Sequence, residues 1–423
     1  MTAVAAPTTA PPRVGGRFVT GMALASLGMW TALYTPVQVL LAQQLAVITP
    51  EGKESALGLV TGLGALVAVV ANPVAGALSD RTTSRFGRRK PWVAGGALLA
   101  AAGLLLLLNQ SSVAGVAVGW VVVQVALSAM LAGLVATVPD RVPENQRGVV
   151  SAWVGATQPM ATLAGTALVT VVVSTVSAGY ALVAGVVLVL LVPFLVWVPD
   201  SPAVPGPRAE RRRGGFFASF AAALRHADFR WAWITRFLIQ LGNATGTLYL
   251  LYFLRDEIRY ESLFPGKRAE QGLLLLVLIY TTGIVVSAFA GGWLSDRLGR
   301  RKGLVTAAGL VIAAGSAPLA VWPTWPVTVL SAVLLGLGYG VYVSVDQALI
   351  TQVLPAASDN GRDLGVISIA NSLPHVLGPV IAAPLVSSLG GYPALFTVTA
   401  LLGLAFAGQS GRRSPVAASN TCS

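Results

Sequence analysis

Charge, cysteine and histidine are all scarce in this 423-residue chain. Only 10% of its residues are charged, 55% are hydrophobic, and the mean hydropathy is +0.74. A water-soluble domain carries about 25% charged residues, so the chain lacks the polar surface that a globular fold in water needs. Its single cysteine, Cys422, excludes an intrachain disulfide and a cysteine metal cluster. Two histidines and scattered acids supply no nucleophile–base constellation and no metal set, so no cofactor and no enzyme chemistry is expected. Lysine is the rarest cation, 4 residues against 24 arginines. That bias points to a GC-rich bacterial genome and hence to the cytoplasmic cell membrane.

Apolar residues, by contrast, come in runs long enough to cross a hydrocarbon core about 30 Å thick. Twelve helices are expected, at 18–41, 56–79, 92–109, 113–138, 149–173 and 180–198, then 231–254, 270–295, 303–322, 327–353, 364–386 and 392–409. The fold class is therefore all-α integral membrane. A six-helix bundle at 1–198 and another at 231–423 flank a cytoplasmic linker at 199–230. Pro, Gly and Arg mark the linker (PDSPAVPGPRAERRRGG), and the amphipathic FFASFAAAL that follows suits the membrane surface. The 46 glycines and 25 prolines, costly in soluble helices, permit close packing and local breaks in membrane ones. The net charge of +12 is no nucleic-acid footprint, because it lies in short loops. With the N-terminus inside, 22 of the 28 Lys and Arg fall on the inner side and 5 outside, with Arg236 left within a helix. This positive-inside split puts both termini in the cytoplasm.

Two loops look alike. GALSDRTTSRFGRRKPW runs from Gly76 to Trp92 and GWLSDRLGRRK from Gly292 to Lys302, with Asp80 and Asp296 216 residues apart. A weaker pair, Pro139…Arg147-Gly148 and Pro355…Arg362, follows at similar spacing. Two parallel six-helix repeats fit this doubling. These residues resemble the loop signature of the major facilitator superfamily, over essentially the whole chain. The longer first copy is similar to that of sucrose transporters and glycoside–pentoside–hexuronide:cation symporters. The resemblance implies a monomeric secondary transporter in the lipid bilayer that carries a small molecule. It also implies that Asp80 meets the start of the eleventh helix and Asp296 the start of the fifth, latching the cytoplasmic side. Gly76 and Gly292 would let neighbouring helices approach closely. Arg81, Gly87, Arg88 and Arg89, with Arg297, Gly299, Arg300 and Arg301 in the second copy, complete the gating motif, its arginines pairing with carboxylates or lipid phosphate.

Ionisable groups inside the hydrocarbon are functional candidates by default. Asp346 lies about 13 Å of helix before Pro355, and Arg236 about 9 Å beyond Arg230. They form a candidate proton-coupling site or a structural ion pair, and Asp346 can instead serve Arg300. His375, between two prolines, suits a neutral imidazole bonded to a freed carbonyl or a proton relay. Absent acids in the first, second, fourth and fifth helices, the sodium ligands of glycoside symporters have no match, and protons are the expected coupling ion. Trp30, Tyr34, Gln38, Gln124, Trp153, Gln158, Gln240, Asn243, Tyr280, Tyr339, Tyr342 and Asn371 are the candidate cavity wall. Aromatic faces stack on sugar rings and amides bond hydroxyls, although Trp and Tyr also anchor helices at the interface. A proton-coupled importer of a sugar-like solute is the leading reading. A drug exporter is the alternative, disfavoured because the fifth helix reads GATQPMATLAG, with no Gly before Pro159. A membrane sensor would need no such polar wall.

Overall fold

The computed structural model describes residues 13–200, 227–298, 301–353 and 360–410. Among these residues every regular element is helical, as the composition requires. The chain runs α1 (Gly16–Thr35), α2 (Leu41–Ile48), α3 (Lys53–Arg81), α4 (Lys90–Leu107), α5 (Val113–Arg141), α6 (Glu144–Val171) and α7 (Val176–Trp197). It continues as α8 (Ala227–Leu248), α9 (Leu250–Asp256), α10 (Tyr260–Leu263), α11 (Ala269–Leu298), α12 (Arg301–Val321), α13 (Trp325–Val353), α14 (Asn360–Ser387) and α15 (Gly391–Ser410). Nine helices among the described residues are long and apolar enough to cross a membrane, ten if the bent pair α8–α9 forms one span. The expected fifth helix, α6, falls short because Gln158, Pro159 and its threonines dilute the apolar run, and in α14, the expected eleventh, the described apolar run is Leu373–Ser387.

Two breaks shape these helices. Pro36 has no N–H to give the carbonyl one turn back, and the ladder shifts to a π turn at Pro36–Leu40 between α1 and α2. Near the end of α8, Thr245 and Thr247 donate to the carbonyls of Leu241 and Asn243, a back-bonding that bends helices. The chain then turns by 41° into α9.

The chain divides into two units. One holds the described residues through Pro36 and from Val67 to Asp200, the other Val37–Leu66 and the described residues from Ala227 onward. In the first, α1 packs on α6 and α7, and α4 on α5 and α7. In the second, α8 packs on α14 and α15, and α12 on α13 and α15, while α11 lies along α13. Small residues set the spacing: a methyl on Gly96 would meet the Ala126 carbonyl oxygen at 2.7 Å, and one on Gly338 the Ala308 carbonyl oxygen at 3.0 Å. Many hydroxyls within the helices are satisfied locally, as Ser128 on the Gln124 carbonyl and Thr399 on that of Leu395. Leu98, Leu105, Val189 and Val196 are exposed, which costs nothing in lipid.

Candidate functional site

Sequence motif and structure meet first in the loop between α3 and α4. Arg89 is buried, and each of its three side-chain nitrogens donates: Nε to Asp140 Oδ2 at 2.7 Å, Nη1 to Ser79 Oγ at 2.7 Å and Nη2 to Asp80 Oδ1 at 2.8 Å. Arg88 Nη2 donates to the same Asp80 oxygen at 2.7 Å. One guanidinium thus ties the ends of α3 and α5 to the start of α4, a planar task that a lysine point charge could not perform. Asp80, expected to face the eleventh helix, has these partners inside its own unit, and the side chains of 360–369 lie outside the described residues.

Gly87 is fixed by two constraints. Its φ of 103° suits glycine, and any Cβ there would run into the Asp200 carboxylate. Asp200 Oδ2 accepts the backbone N–H of Arg89 at 2.6 Å and of Lys90 at 2.8 Å, capping α4 from beyond α7, while Arg141 sits 3.4 Å from Oδ1. A carboxylate at a helix N-terminus complements the helix dipole. Burial pushes the Asp200 carboxyl up, but the N–H groups of Lys90 and Arg89, with Arg141, outweigh it and hold it below the ordinary carboxylate range. With the folded value depressed, the stabilisation is complete above the unfolded-chain value near pH 4 and is lost as pH falls through the folded one. Asp200→Asn should therefore flatten the fall of Tm below about pH 4, read by thermal unfolding in detergent. An unchanged acid limb would remove Asp200 from the account.

The aromatic and amide candidates separate into two clusters, one per unit. In the first unit Trp30 and Tyr34 stack at 5.7 Å, and Gln158 Nε2 donates to the Tyr34 hydroxyl at 2.6 Å. In the second, Tyr280 donates to Asn243 Oδ1 at 3.0 Å and Tyr339 to Gln240 Oε1 at 2.8 Å. The rings of Tyr280, Tyr339 and Tyr342 follow one another at 6.2 and 5.9 Å. Both Tyr280 and Tyr339 spend their proton on an amide oxygen. Gln240 and Asn243 are one turn apart on α8, and Arg236 lies one turn before Gln240 on the same face.

Other candidates stand apart. Gln124 is buried on α5, Trp153 is 60% exposed, His375 is accessible, and Gln38 lies in the π turn. Gly76 has nothing within 4 Å of a Cβ position among the described residues, where no helix closes on it. In the second copy, close approach falls one residue earlier than expected. A methyl on Gly291 would meet Ser344 Oγ at 2.8 Å, whereas Gly292 has only Ser344 Cβ at 4.0 Å, because the register of α11 turns Gly291 toward α13. Arg81 is exposed, and Arg297 lies 5.0 Å over the Trp293 ring. Gly299 and Arg300 lie outside the described residues, as do the side chains of Asp296, Arg301, Asp346 and Asn371, nearly all of the 199–230 linker and Cys422.

A polar cluster that the sequence did not single out lies at the opposite helix ends, within the second unit. Glu270, 2% exposed, accepts from Gln43 Nε2 at 2.6 Å and from Arg255 Nη2. Lys53 Nζ reaches Asp256 Oδ1 at 2.7 Å, whose other oxygen accepts from the Tyr392 hydroxyl at 2.9 Å. The hydroxyls of Tyr252 and Tyr249 donate to the carbonyls of Ala42 and Glu54 at 2.7 and 2.8 Å. Acids at helix starts are common, and only the folded chain brings Gln43 to Glu270 across 227 positions.

The family model described as Major Facilitator Superfamily matches residues 18–266 and 266–409. The chain belongs to the major facilitator superfamily. It is a membrane transporter and not an enzyme, in keeping with a site built of amides, aromatics and ion pairs. One relative in this superfamily is the uncharacterized MFS-type transporter YfiU of Bacillus subtilis (strain 168), 31% identical over 122 residues. The matched stretch covers 29% of the chain and 23% of that relative's length. Among solved structures, the peptide transporter POT in complex with sulfate has a TM-score of 0.73 at 14% identity, covering 94% of this chain and 95% of its own. The nucleoside transporter NupG gives 0.69 at 13%, covering 93% and 96%. The human organic anion transporter MFSD10 gives 0.66 at 18%, covering 93% and 99%. At these identities the likeness is one of fold.

Proposed function

We propose that this major facilitator moves a small polar solute, a sugar or sugar-like compound, across the bacterial cell membrane by proton-coupled symport. The observation that carries this reading is the pair of amide–aromatic clusters, Trp30–Tyr34–Gln158 and Gln240–Asn243–Tyr280–Tyr339. Flat apolar faces beside uncharged hydrogen-bonding groups suit a hydroxylated solute, whereas a purely apolar drug would leave the amides unpaired. Twelve helices in two six-helix repeats, with both termini cytoplasmic, provide the alternating-access frame. Its support is the recurrence in both units of the same pairings: first helix with fifth and sixth, third with fourth and sixth. The motif loops around Asp80 and Asp296 then act as cytoplasmic latches, and Asp346 with Arg236 is the coupling pair within the membrane. The length of the first motif loop favours sucrose and glycoside symporters as the nearest functional class.

Uptake into proteoliposomes tests this. A panel of neutral sugars and nucleosides should include one that accumulates under an inward proton gradient and stops when a protonophore collapses it. Asn243→Leu should raise the half-saturation concentration of that solute about tenfold, since it removes a hydrogen bond inside a dry site. Solute expelled against an inward proton gradient would establish exchange instead, and unaltered affinity in Asn243→Leu would detach the α8 cluster from substrate.

A further inference from the structure

Glu270 has a chemistry that the reading so far does not use. It is the least exposed acid among the described residues and sits in the first turn of α11, where the helix dipole favours its charge. Both groups that address its carboxylate, the Gln43 amide nitrogen and the Arg255 guanidinium, are donors. An ionised carboxylate satisfies both. Both bonds fall on Oε1, and a neutral acid accepts them more weakly than an ionised one, so the closed arrangement disfavours the proton.

The two donors differ in origin. Arg255 belongs to α9, which packs on α11. Gln43 belongs to Val37–Leu66, a stretch of the first two spans that groups with the second unit beyond the π turn at Pro36–Leu40. That stretch is held by the Gln43–Glu270 bond, the Lys53–Asp256 pair and the two tyrosine-to-carbonyl bonds.

We infer that Glu270 is a proton-binding site that couples opening of the outer side to proton uptake. In the closed state the ionised carboxylate clasps Gln43. When the 37–66 stretch swings away, the carboxylate loses that donor and takes a proton from the outer aqueous phase; closing returns the proton to that phase. The inference rests on the alternating-access reading and adds a proton site distinct from Asp346. A hydrogen bond to an ionised group stabilises the closed form by about ten- to a hundredfold, which sets the size of the linkage. The other charged and titratable groups at the cluster are Lys53 and Glu54 of α3, Tyr252 and Asp256 of α9, Glu261 of α10 and Tyr392 of α15. Lys53, Asp256 and Tyr392 bond to one another, so the Gln43 clasp is left to Glu270.

Spin labels at the exposed positions Val47 and Leu263, in a Cys422→Ser background in nanodiscs, report the opening directly. Between about pH 8 and pH 4 the wild-type distance distribution should move to longer values, and Glu270→Gln should stay long throughout. Gln43→Leu keeps the acid and removes the bond that links its proton to opening, so the pH response should be lost; this arm holds even if Glu270→Gln fails to fold. A pH response retained in Glu270→Gln or in Gln43→Leu overturns the assignment. A pair that moves with solute but not with pH overturns the assignment alone, while a pair that never moves overturns alternating access as well.

Discussion

Arg89→Ala should destabilise the protein by about 2–3 kcal/mol, the loss of charge-assisted hydrogen bonds to acids that stay partly in water. The alanine removes three bonds at once and strands the acids that they served. Asp140 loses its 2.7 Å donor, Ser79 Oγ loses its own, and Asp80 keeps only Arg88, which is more exposed. Two like charges at the ends of α3 and α5 then face each other across the space left by the guanidinium. Arg89→Lys restores charge but not geometry, because one ammonium cannot address Asp140, Ser79 and Asp80 from a single plane. The lysine variant should recover less than half of the loss. Thermal unfolding in detergent, run on both variants and on Arg88→Ala, checks this. Arg88→Ala should cost about 1 kcal/mol or less, since its pair is partly exposed. Equal effects at positions 88 and 89 would show that the loop's net charge matters and its geometry does not.

How far the sequence could reach differs between these sites. Gln240, Asn243, Tyr280 and Tyr339 can be picked out of the sequence because amides and phenols are few on these apolar helices. Their meeting in pairs follows from α8, α11 and α13 sharing one unit. The first motif loop was legible as a pattern, but not the wiring of its arginines. Asp140 and Asp200 lie at helix ends, where acids are ordinary, and their value comes from loops 51 and 111 positions away. Asp200 in particular reads as the start of a polar linker, just after Pro199, yet it caps α4. The Gln43–Glu270 clasp was invisible for the same reason. No spacing rule joins the end of the first span to the start of α11. Helix existence follows from local composition, whereas clasps between helix ends depend on packing alone.

Gly58→Leu should hold the outer side open. Gly58 lies on α3 within the 37–66 stretch, and a Cβ there would stand 2.5 Å from Ala383 Cβ, 2.8 Å from the Tyr249 hydroxyl and 3.3 Å from the Pro379 carbonyl oxygen. Two of these neighbours are on α14 and cannot retreat easily, because Pro379 is built into that helix. Forcing added methylenes into such a contact costs about 1–3 kcal/mol, or roughly ten- to a hundredfold in the closing equilibrium. In a static core that strain would appear as lost stability. Here the stretch belongs by chain connectivity to the first two spans and adjoins the π turn of Pro36–Leu40. On the inferred opening, the strain should be relieved by moving away from α14 rather than by unfolding. The Val47–Leu263 label pair should read long at every pH in Gly58→Leu, with the thermal midpoint nearly unchanged and solute turnover abolished. Gly58→Ala should fall between wild type and leucine, as expected for graded steric pressure. A lowered midpoint with an unshifted label distance would instead make residues 37–66 fixed core, and the clasp at Glu270 a structural bond that never opens.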